Sequence, residues 1–465
     1  MRAGFIFYCF FIIQSLYAEI NMPFVFGDHM VLQRNTDVAI WGKAGKNTTV
    51  NLSTSWNNEV YTVKSDHNGH WKAKVITPDA GGPFTISIAD GTDTLRLEDI
   101  LIGEVWVCSG QSNMAMPMRG FKNQPVKGSH KEIVVSTNKN IRLFKVQAGI
   151  SEKPQENFEG DWKLSEPGSV KNFSATAYYF GKLLHQVLGI PIGLIVSSVG
   201  GTRIEPWMDA QAIDKFGFVK DNEKDGIYGN RKPSYLYNAM INPMVGFGIS
   251  GVIWYQGESN SKQPNQYQQL LPGLIQGWRD QWNIGDFGFY YVQIAPFEYR
   301  HGVNSAYIRD AMRKVSLQDI PNIGMACLMD VGEKYNVHPP DKKLAGERLA
   351  YIALAKTYGI SGVEYSGPVL KEMLVEGSNV RLIFDHAKNG LTTYGKPLEH
   401  FEIAGKDRRY FRAKGMITKD GVLLESERVT EPVAVRYAFE NFVVGEIFNT
   451  EGLPASSFRT DDWDE

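Results

Sequence analysis

The sequence predicts an α/β protein with a parallel sheet at its centre and strand-rich regions at both ends. Between about residues 97 and 362, short apolar runs alternate with stretches whose apolar residues recur at helical spacing, as in βαβ units. Before and after this segment, short β-type runs are separated by Gly, Asn and Asp clusters, which is typical of small sandwiches. A chain of 465 residues is also longer than one ordinary domain, so two or three domains are expected.

The central segment starts with a strand over residues 105–108, an apolar run that ends in a small polar turn. Helices are predicted over residues 176–188, with Ser174 as N-cap, and over residues 342–358. A further helix over residues 267–282 contains Pro272, which predicts a kink or a late start. The remaining strands of the predicted sheet cover residues 192–196, 251–255, 290–295 and 324–330.

The first 18 residues have the composition of a secretory signal peptide. Arg2 precedes an apolar stretch over residues 4–13 that is too short to span a membrane, and Ala18 offers a small residue for cleavage. Removal of residues 1–18 would leave an N-terminal β domain over 19–96, an α/β domain over 97–362, and a C-terminal β region with a docking tail over 363–465. The sequence therefore predicts a secreted or periplasmic protein without a membrane span after cleavage.

Charge and residue content argue against nucleic-acid binding and against a metal site, and they indicate buried cysteines. The net charge is −2 and the two signs are interspersed, whereas a nucleic-acid-binding protein would show a basic stripe. Cys108 and Cys327 would remain after cleavage, and both lie in apolar runs, so they are expected to be small buried side chains. No cluster of His and Asp residues has metal-ligand spacing, so no metal or other cofactor is expected.

Four polar blocks follow predicted strands or open a helix, and ligands bind at the carboxyl ends of strands in open α/β sheets. In chain order they are GQSNM, SVGGTRIEPW, WYQGESN and HPPDK. Together the blocks resemble those of the sialate O-acetylesterase family, which belongs to the SGNH-type hydrolases. The resemblance extends from about Asn21 to the FRTD sequence near the C-terminus. It implies a flavodoxin-like sheet and hydrolysis of acetyl esters by a serine nucleophile.

Ser112 is the candidate nucleophile, and His338 is the candidate base. A lone serine in a turn is more often a helix N-cap, but the later blocks supply the groups that a serine esterase needs. Many SGNH enzymes place an aspartate three residues before the histidine, and that position is Tyr335 here. Asp330 and Glu258 are the candidates for the acid of a catalytic triad. The sequence thus predicts a Ser-His dyad whose third member stays open.

The remaining catalytic groups are donors for the oxyanion of the reaction. The resemblance implies a glycine donor in the second block, for which Gly201 is favoured and Gly200 stays open. Gln256 stands where many members of the superfamily have an asparagine, and it offers the same amide donor on a longer side chain. The backbone N–H of Ser112 would be a third donor.

Asn113, Arg203 and Trp207 are predicted to bind the substrate. Arg203 could hold the carboxylate of a sialic acid, or it could pair with a nearby glutamate, and Trp207 would serve equally well in the core. The predicted partner is an O-acetylated carbohydrate, with sialic acids favoured and acetylated hemicellulose such as xylan as the runner-up. The alternative is a non-catalytic carbohydrate-binding protein on the same fold, because the usual acid before the histidine is missing. The sequence predicts no oligomeric state.

Overall fold

A computed structural model of the protein describes residues 19–219, 232–300 and 302–463. The predicted signal peptide lies outside these residues. A mixed sheet of eleven strands runs through the structure, and smaller sheets of two and four strands accompany it. None of the helices in the described part of the chain is long and apolar enough to cross a bilayer.

The N-terminal region is continuous with the central sheet through one long strand. Its strands are β1 (Val31–Gln33), β2 (Asp37–Lys43), β3 (Thr49–Thr54), β4 (Val60–Lys64), β5 (His70–Ile76), β6 (Gly81–Ala89) and β7 (Thr94–Gly110). The first half of β7 pairs with β6, and its second half enters the parallel sheet. The domain boundary predicted after residue 96 therefore lies inside β7, because backbone pairing continues across it.

The central region alternates strands and helices as the sequence predicts. Its elements are α1 (Ser112–Ala115), α2 (Ser129–Val134), β8 (Asn138–Lys145), β9 (Trp162–Ser165), α3 (Pro167–Val170), α4 (Ala175–Leu188), β10 (Ile192–Ser198), α5 (Ala210–Ile213), β11 (Gly251–Tyr255), α6 (Pro264–Trp282), β12 (Gly288–Val292), α7 (Ala306–Ser316), β13 (Ile323–Ala326) and α8 (Lys342–Lys356). Short 3-10 turns cover Glu205–Trp207, Asn242–Met244 and Glu258–Asn260, and a π-helical turn covers Tyr237–Ile241.

The predictions for where the helices begin are confirmed in part. The Ser174 side chain accepts a hydrogen bond from the backbone N–H of Ala177 and caps α4, as predicted. Helix α6 begins at Pro264, earlier than predicted, and continues through Pro272. Proline suits the first turn of a helix because its missing N–H has no intrahelical acceptor there.

The strand order of the central sheet indicates where a ligand would bind. The order is β13-β12-β11-β7-β10-β8-β9, and all neighbours are parallel except the last pair. When β8 is left out of the numbering, β7, β10, β11, β12 and β13 stand in the order 2-1-3-4-5 of flavodoxin-like sheets, and β8 adds a further parallel strand outside β10. In such sheets ligands bind where the order reverses, which here is the carboxyl end of β7 next to β11.

Alternation along β7 builds a core on each face of the sheet. Val105 and Val107 join the apolar core that includes side chains of α6 and α7. Trp106 and Cys108 point to the other face and join the core formed with α4 and α8. Both faces are apolar, so the sheet is buried on both sides, as parallel sheets require.

The C-terminal region contains two four-stranded antiparallel sheets around a common core. Its strands are β14 (Val369–Glu376), β15 (Asn379–Asp385), β16 (Leu391–Thr392), β17 (Phe401–Ala404), β18 (Tyr410–Arg412), β19 (Lys414–Thr418), β20 (Gly421–Glu425), β21 (Ala434–Tyr437), β22 (Phe448–Asn449) and β23 (Phe458–Arg459). The end of the chain packs on the α/β region, because Arg309 of α7 donates to the Ser457 hydroxyl at 2.9 Å.

Candidate active site

Ser112 lies at the first position of α1, directly after the central strand β7. The chain bends there at Gly110, whose φ is +135° and where a Cβ would stand 2.2 Å from the carbonyl oxygen of Tyr255. Only glycine tolerates this conformation and this close approach. The backbone N–H of Gln111 then donates to the Tyr255 carbonyl at 2.9 Å. The nucleophile turn is thus fixed against the end of β11, while Ser112 stays only half-buried.

The two glycines of the second block have different surroundings. A Cβ at Gly200 would stand 3.4 Å from the Cβ of Ser112, so this glycine lies directly against the candidate nucleophile. Gly201 has a φ of +72° and no described atom within 4 Å of its would-be Cβ. Gly201 therefore supplies the left-handed backbone of the turn, and Gly200 supplies the close approach to Ser112.

His338 lies in the loop between β13 and α8 and has a neutral partner. Its Nδ1 is 2.6 Å from Oε1 of Gln124, and its ring packs edge-on against Phe121 with centroids 5.3 Å apart. Because an amide oxygen only accepts hydrogen bonds, this contact places the proton on Nδ1 and leaves Nε2 as the basic nitrogen. Burial, with the positive charge of Lys342, lowers the pKa of His338 to about 4.

The carboxylates predicted as triad acids have other partners. Asp330 binds the Arg348 guanidinium through both oxygens, each at 2.7 Å, because α8 presents Arg348 to the loop after β13. Glu258 accepts a hydrogen bond from Asn113 at 2.5 Å. The histidine partner is instead Gln124, which the sequence analysis missed. Gln124 lies in a loop without periodicity, where no local pattern predicts such a contact.

Asn113 connects three of the four polar blocks. Its Nδ2 donates to Glu258 and, at 3.1 Å, to the carbonyl oxygen of Val337, the residue before His338. Its Oδ1 accepts a hydrogen bond from the Lys342 ammonium. The predicted substrate contact of Asn113 does not fit this position, because the side chain is 1% exposed and all its polar atoms have protein partners.

Lys342 is the most unusual charge of the site. It is fully buried at the first position of α8, where the helix dipole disfavours a cation. Its ammonium lies 5.5 Å from the centroid of the Tyr255 ring. Burial lowers the pKa of Lys342 to about 7, although Glu258 and Asp341 act in the opposite direction. Burial likewise raises the pKa of Glu258. Lys342 lies in the HPPDK block, but no local pattern in the sequence predicts this role for it.

Two other predicted site residues, Gln256 and Trp207, are buried in the protein interior. Gln256 is fully buried, and its Nε2 donates to Asn260 at 2.8 Å and to the Thr202 carbonyl at 3.1 Å. These contacts engage the amide hydrogens that were predicted to face an oxyanion. Trp207 is also fully buried and donates to the Thr202 hydroxyl at 3.0 Å, so it belongs to the core and forms no sugar-binding wall. Both residues bond Thr202 and so support the SVGGTRIEPW block from the protein interior.

Arg203 pairs loosely with an acidic neighbour. Its guanidinium lies 3.9 Å from a carboxylate oxygen of Glu205, and about a third of its side chain is exposed. Of the alternatives left open for Arg203, the structure shows this glutamate pair. Within residues 19–219, 232–300 and 302–463, no group of three His, Cys, Asp or Glu side chains has the geometry of a metal site.

Comparisons with known proteins agree with this fold. Residues 102–354 match the family model described as carbohydrate esterase, sialic acid-specific acetylesterase. A solved carbohydrate acetylesterase from Xanthomonas citri superposes with a TM-score of 0.88 at 32% identity, covering 96% of this chain and 100% of its own. The sialate O-acetylesterase of Homo sapiens is 29% identical over 420 residues, which are 82% of this chain and 77% of the human protein. That of Rattus norvegicus is 29% identical over 425 residues, 77% of this chain and 78% of its own.

Fold and comparisons together define a carbohydrate O-acetylesterase. More narrowly, the chain belongs to the family of sialic acid-specific acetylesterases, whose model spans more than half of its length and includes all four polar blocks.

Proposed function

We propose that the protein is an exported serine esterase that removes O-acetyl groups from carbohydrates, with O-acetylated sialic acids as the favoured substrates. The observation that carries this proposal is the position of Asn113. This residue follows Ser112 in the chain and donates to the carbonyl of Val337, which precedes His338. One buried side chain thus holds the nucleophile block and the histidine block together at the carboxyl edge of the sheet.

In the acylation step, the Ser112 hydroxyl attacks the carbonyl carbon of the acetyl ester and His338 Nε2 takes its proton. The Gln124 contact supports this role because it keeps the other proton of the imidazole on Nδ1. Collapse of the tetrahedral intermediate breaks the bond to the sugar oxygen. The imidazolium returns its proton to that oxygen, so the sugar leaves as an alcohol and the acetyl group stays on Ser112.

In the deacylation step, water attacks the acetyl-serine while His338 again accepts a proton. Acetate leaves, and the imidazolium returns the proton to the Ser112 oxygen. The oxyanion of both intermediates would be bound by the first backbone N–H groups of α1, which have no acceptor inside the helix, together with the glycine turn. Because Gly200 lies against Ser112, we regard Gly200 and Gly201 as equal candidates for the glycine donor.

A neutral partner for the histidine has a consequence for the base. No carboxylate contacts His338 in the described part of the chain, and burial with the nearby Lys342 charge lowers its pKa to about 4. A base must be unprotonated to act, so His338 would stay competent in acid down to about its own pKa. The same surroundings stabilise the imidazolium of the transition state less than a carboxylate would.

Replacement of Ser112 by alanine tests the proposal. Ser112→Ala should leave the melting temperature unchanged and lower acetate release from O-acetylated sialic acid by at least about 1000-fold, the scale of nucleophile loss in serine hydrolases. Ser129→Ala, on the half-exposed start of α2, is the matched control. Activity of Ser112→Ala within tenfold of the wild type would contradict the mechanism. A wild type that binds acetylated sugars without releasing acetate would favour the carbohydrate-binding alternative.

Substrate range and export need separate measurements. Rates on acetylated xylan and on O-acetylated sialic acids, compared as kcat/KM, would decide between the favoured substrate and the runner-up. Export is proposed on the composition of residues 1–18. N-terminal sequencing of the mature protein from its native compartment should begin at Glu19, and a mature chain that starts at Met1 would contradict export.

A further inference from the structure

A cavity of about 700 Å³ adjoins the candidate catalytic residues. Gly200 lies on its wall, and this glycine is the one that approaches the Ser112 Cβ. Phe121 also lies on its wall and packs edge-on against the His338 ring. The cavity is therefore bordered by direct neighbours of both the nucleophile and the base, where the sugar part of an acetyl ester would be held during the reaction.

Three cationic side chains from separate segments line this cavity: Arg119, Lys145 and Lys163. Arg119 follows the nucleophile helix α1, Lys145 ends the parallel strand β8, and Lys163 lies on the edge strand β9. Because β8 runs parallel to β10 and β7, its carboxyl end with Lys145 lies at the same edge of the sheet as Ser112, and the antiparallel pairing of β9 with β8 brings Lys163 to this edge as well.

Two of these cations have no counter-charge among the residues that the structure describes. Asp161, the acidic residue of the cavity wall, lies 3.4 Å from Lys163 and offsets that charge. Within the part of the chain that the structure describes, neither Arg119 nor Lys145 makes a side-chain hydrogen bond or an ion pair. Desolvation at the cavity and the nearby charges of Arg119 and Lys163 lower the pKa of Lys145, as expected where like charges converge.

We propose that Arg119 and Lys145 form a subsite for the carboxylate of an acidic sugar whose acetyl group is presented to Ser112. This inference rests on the proposed function and assigns the residues that would recognise the carboxylate of its favoured substrate. An arginine can bind a carboxylate with two parallel hydrogen bonds, and a lysine adds a point charge beside it. Bringing an anion into the cavity would also relieve the mutual repulsion of the two cations. Arg203, by contrast, is already beside the Glu205 carboxylate.

The test compares two substrates that differ at the carboxyl group, which is anionic in one and neutral in the other: O-acetylated N-acetylneuraminic acid and its carboxyl methyl ester. The quantity measured is the ratio of kcat/KM for the free acid to kcat/KM for the methyl ester, from acetate release. We expect the wild-type ratio to exceed about tenfold, and Arg119→Gln and Lys145→Gln each to lower it by about tenfold. Lys74→Gln, an exposed lysine on β5, is the matched control and should leave the ratio unchanged.

Sodium chloride gives a second measurement that needs no variant. Since the subsite is open to solvent, raising the salt concentration should lower the wild-type ratio by screening the two cations. A wild-type ratio near one, or a ratio that neither substitution changes, would overturn the subsite. If the wild type releases acetate from the free acid and the methyl ester at equal kcat/KM, the proposed esterase function stands while this inference fails. If it releases acetate from neither sugar nor from 4-nitrophenyl acetate, both fail.

Discussion

Lys342 and Arg309 are both fully buried cations, one beside the candidate active site and one under the C-terminal tail. Arg309 donates to the hydroxyls of Ser305 and Ser457 at 2.8 and 2.9 Å and to the carbonyl oxygens of Glu440 and Asn441. Among the described residues, Lys342 has one hydrogen-bond acceptor, Asn113, and its ammonium also faces the ring of Tyr255. Equal burial therefore comes with very different numbers of acceptors.

The difference separates a structural charge from one that can titrate near neutrality. Burial lowers the pKa of Arg309 only to about 10, so this residue stays charged at neutral pH. Burial lowers the pKa of Lys342 to about 7, so its charge is only partly retained there. The guanidinium fork satisfies several acceptors at once, whereas an ammonium with few partners pays the full desolvation cost. The first arrangement stabilises the fold, and the second places an adjustable charge near His338.

The largest effect is expected for Arg309→Met, and it should fall on stability. Loss of the guanidinium leaves the Glu440 carbonyl without its donor, at a cost of about 1–3 kcal/mol, and removes the bonds to the Ser305 and Ser457 hydroxyls at about 1 kcal/mol each. Urea unfolding should show a loss of about 3 kcal/mol or more, with kcat little changed where the variant is folded. Arg309→Lys keeps the charge but not the fork, and it should recover little. A loss below about 1 kcal/mol would show that the acceptors find other donors.

Lys342→Met should act mainly on catalysis. Without the ammonium, the Asn113 carbonyl loses its donor and the link between the Ser112 and His338 blocks loosens, so kcat/KM should fall by about 100-fold. The positive charge of Lys342 also contributes to the low pKa of His338, so its removal should raise that pKa. The acid limb of the pH–kcat/KM profile should then move upward from about pH 4. An unmoved limb would separate Lys342 from the base.

Gln124 tests whether a neutral group really orients the histidine. Gln124→Ala removes the acceptor of His338 Nδ1 and should lower kcat/KM by about tenfold, the value of one hydrogen bond. Gln124→Glu supplies a carboxylate at the same place, which favours the imidazolium and should move the acid limb to higher pH. Gln269→Ala on the exposed face of α6 is the control. A profile that is identical in Gln124→Glu and the wild type would contradict the contact.

Asp330→Asn should have the smallest effect on activity. The Asp330 carboxylate is occupied by Arg348, so kcat/KM should stay within about threefold of the wild type while stability falls by about 2 kcal/mol. Asp385→Asn, whose partner Lys371 is exposed, is the control and should cost almost no stability. A large loss of kcat with normal stability would restore Asp330 as the acid of a triad.

Local pattern sufficed for the elements that carry the site. A continuous apolar run predicts the end of β7, because both faces of this strand enter a core, and Ser174 predicts the start of α4 through its cap. The polar turns that follow strands predict where ligands bind, because parallel strands share one carboxyl edge. The sequence by itself therefore determined the α/β class, the family resemblance and the choice of Ser112 and His338 as candidate catalytic residues.

Tertiary structure alone decided which polar side chains meet. Gln124 reaches His338 across 214 positions of sequence, and Asn113 reaches Val337 across 224, distances over which no local pattern operates. The pairing of Asp330 with Arg348 depends on how α8 packs against the sheet. The pairing of Glu258 with Asn113 depends on β11 lying beside β7. Residue type tells which bonds a side chain can make, but competition among buried donors and acceptors in the packed structure decides which bonds form.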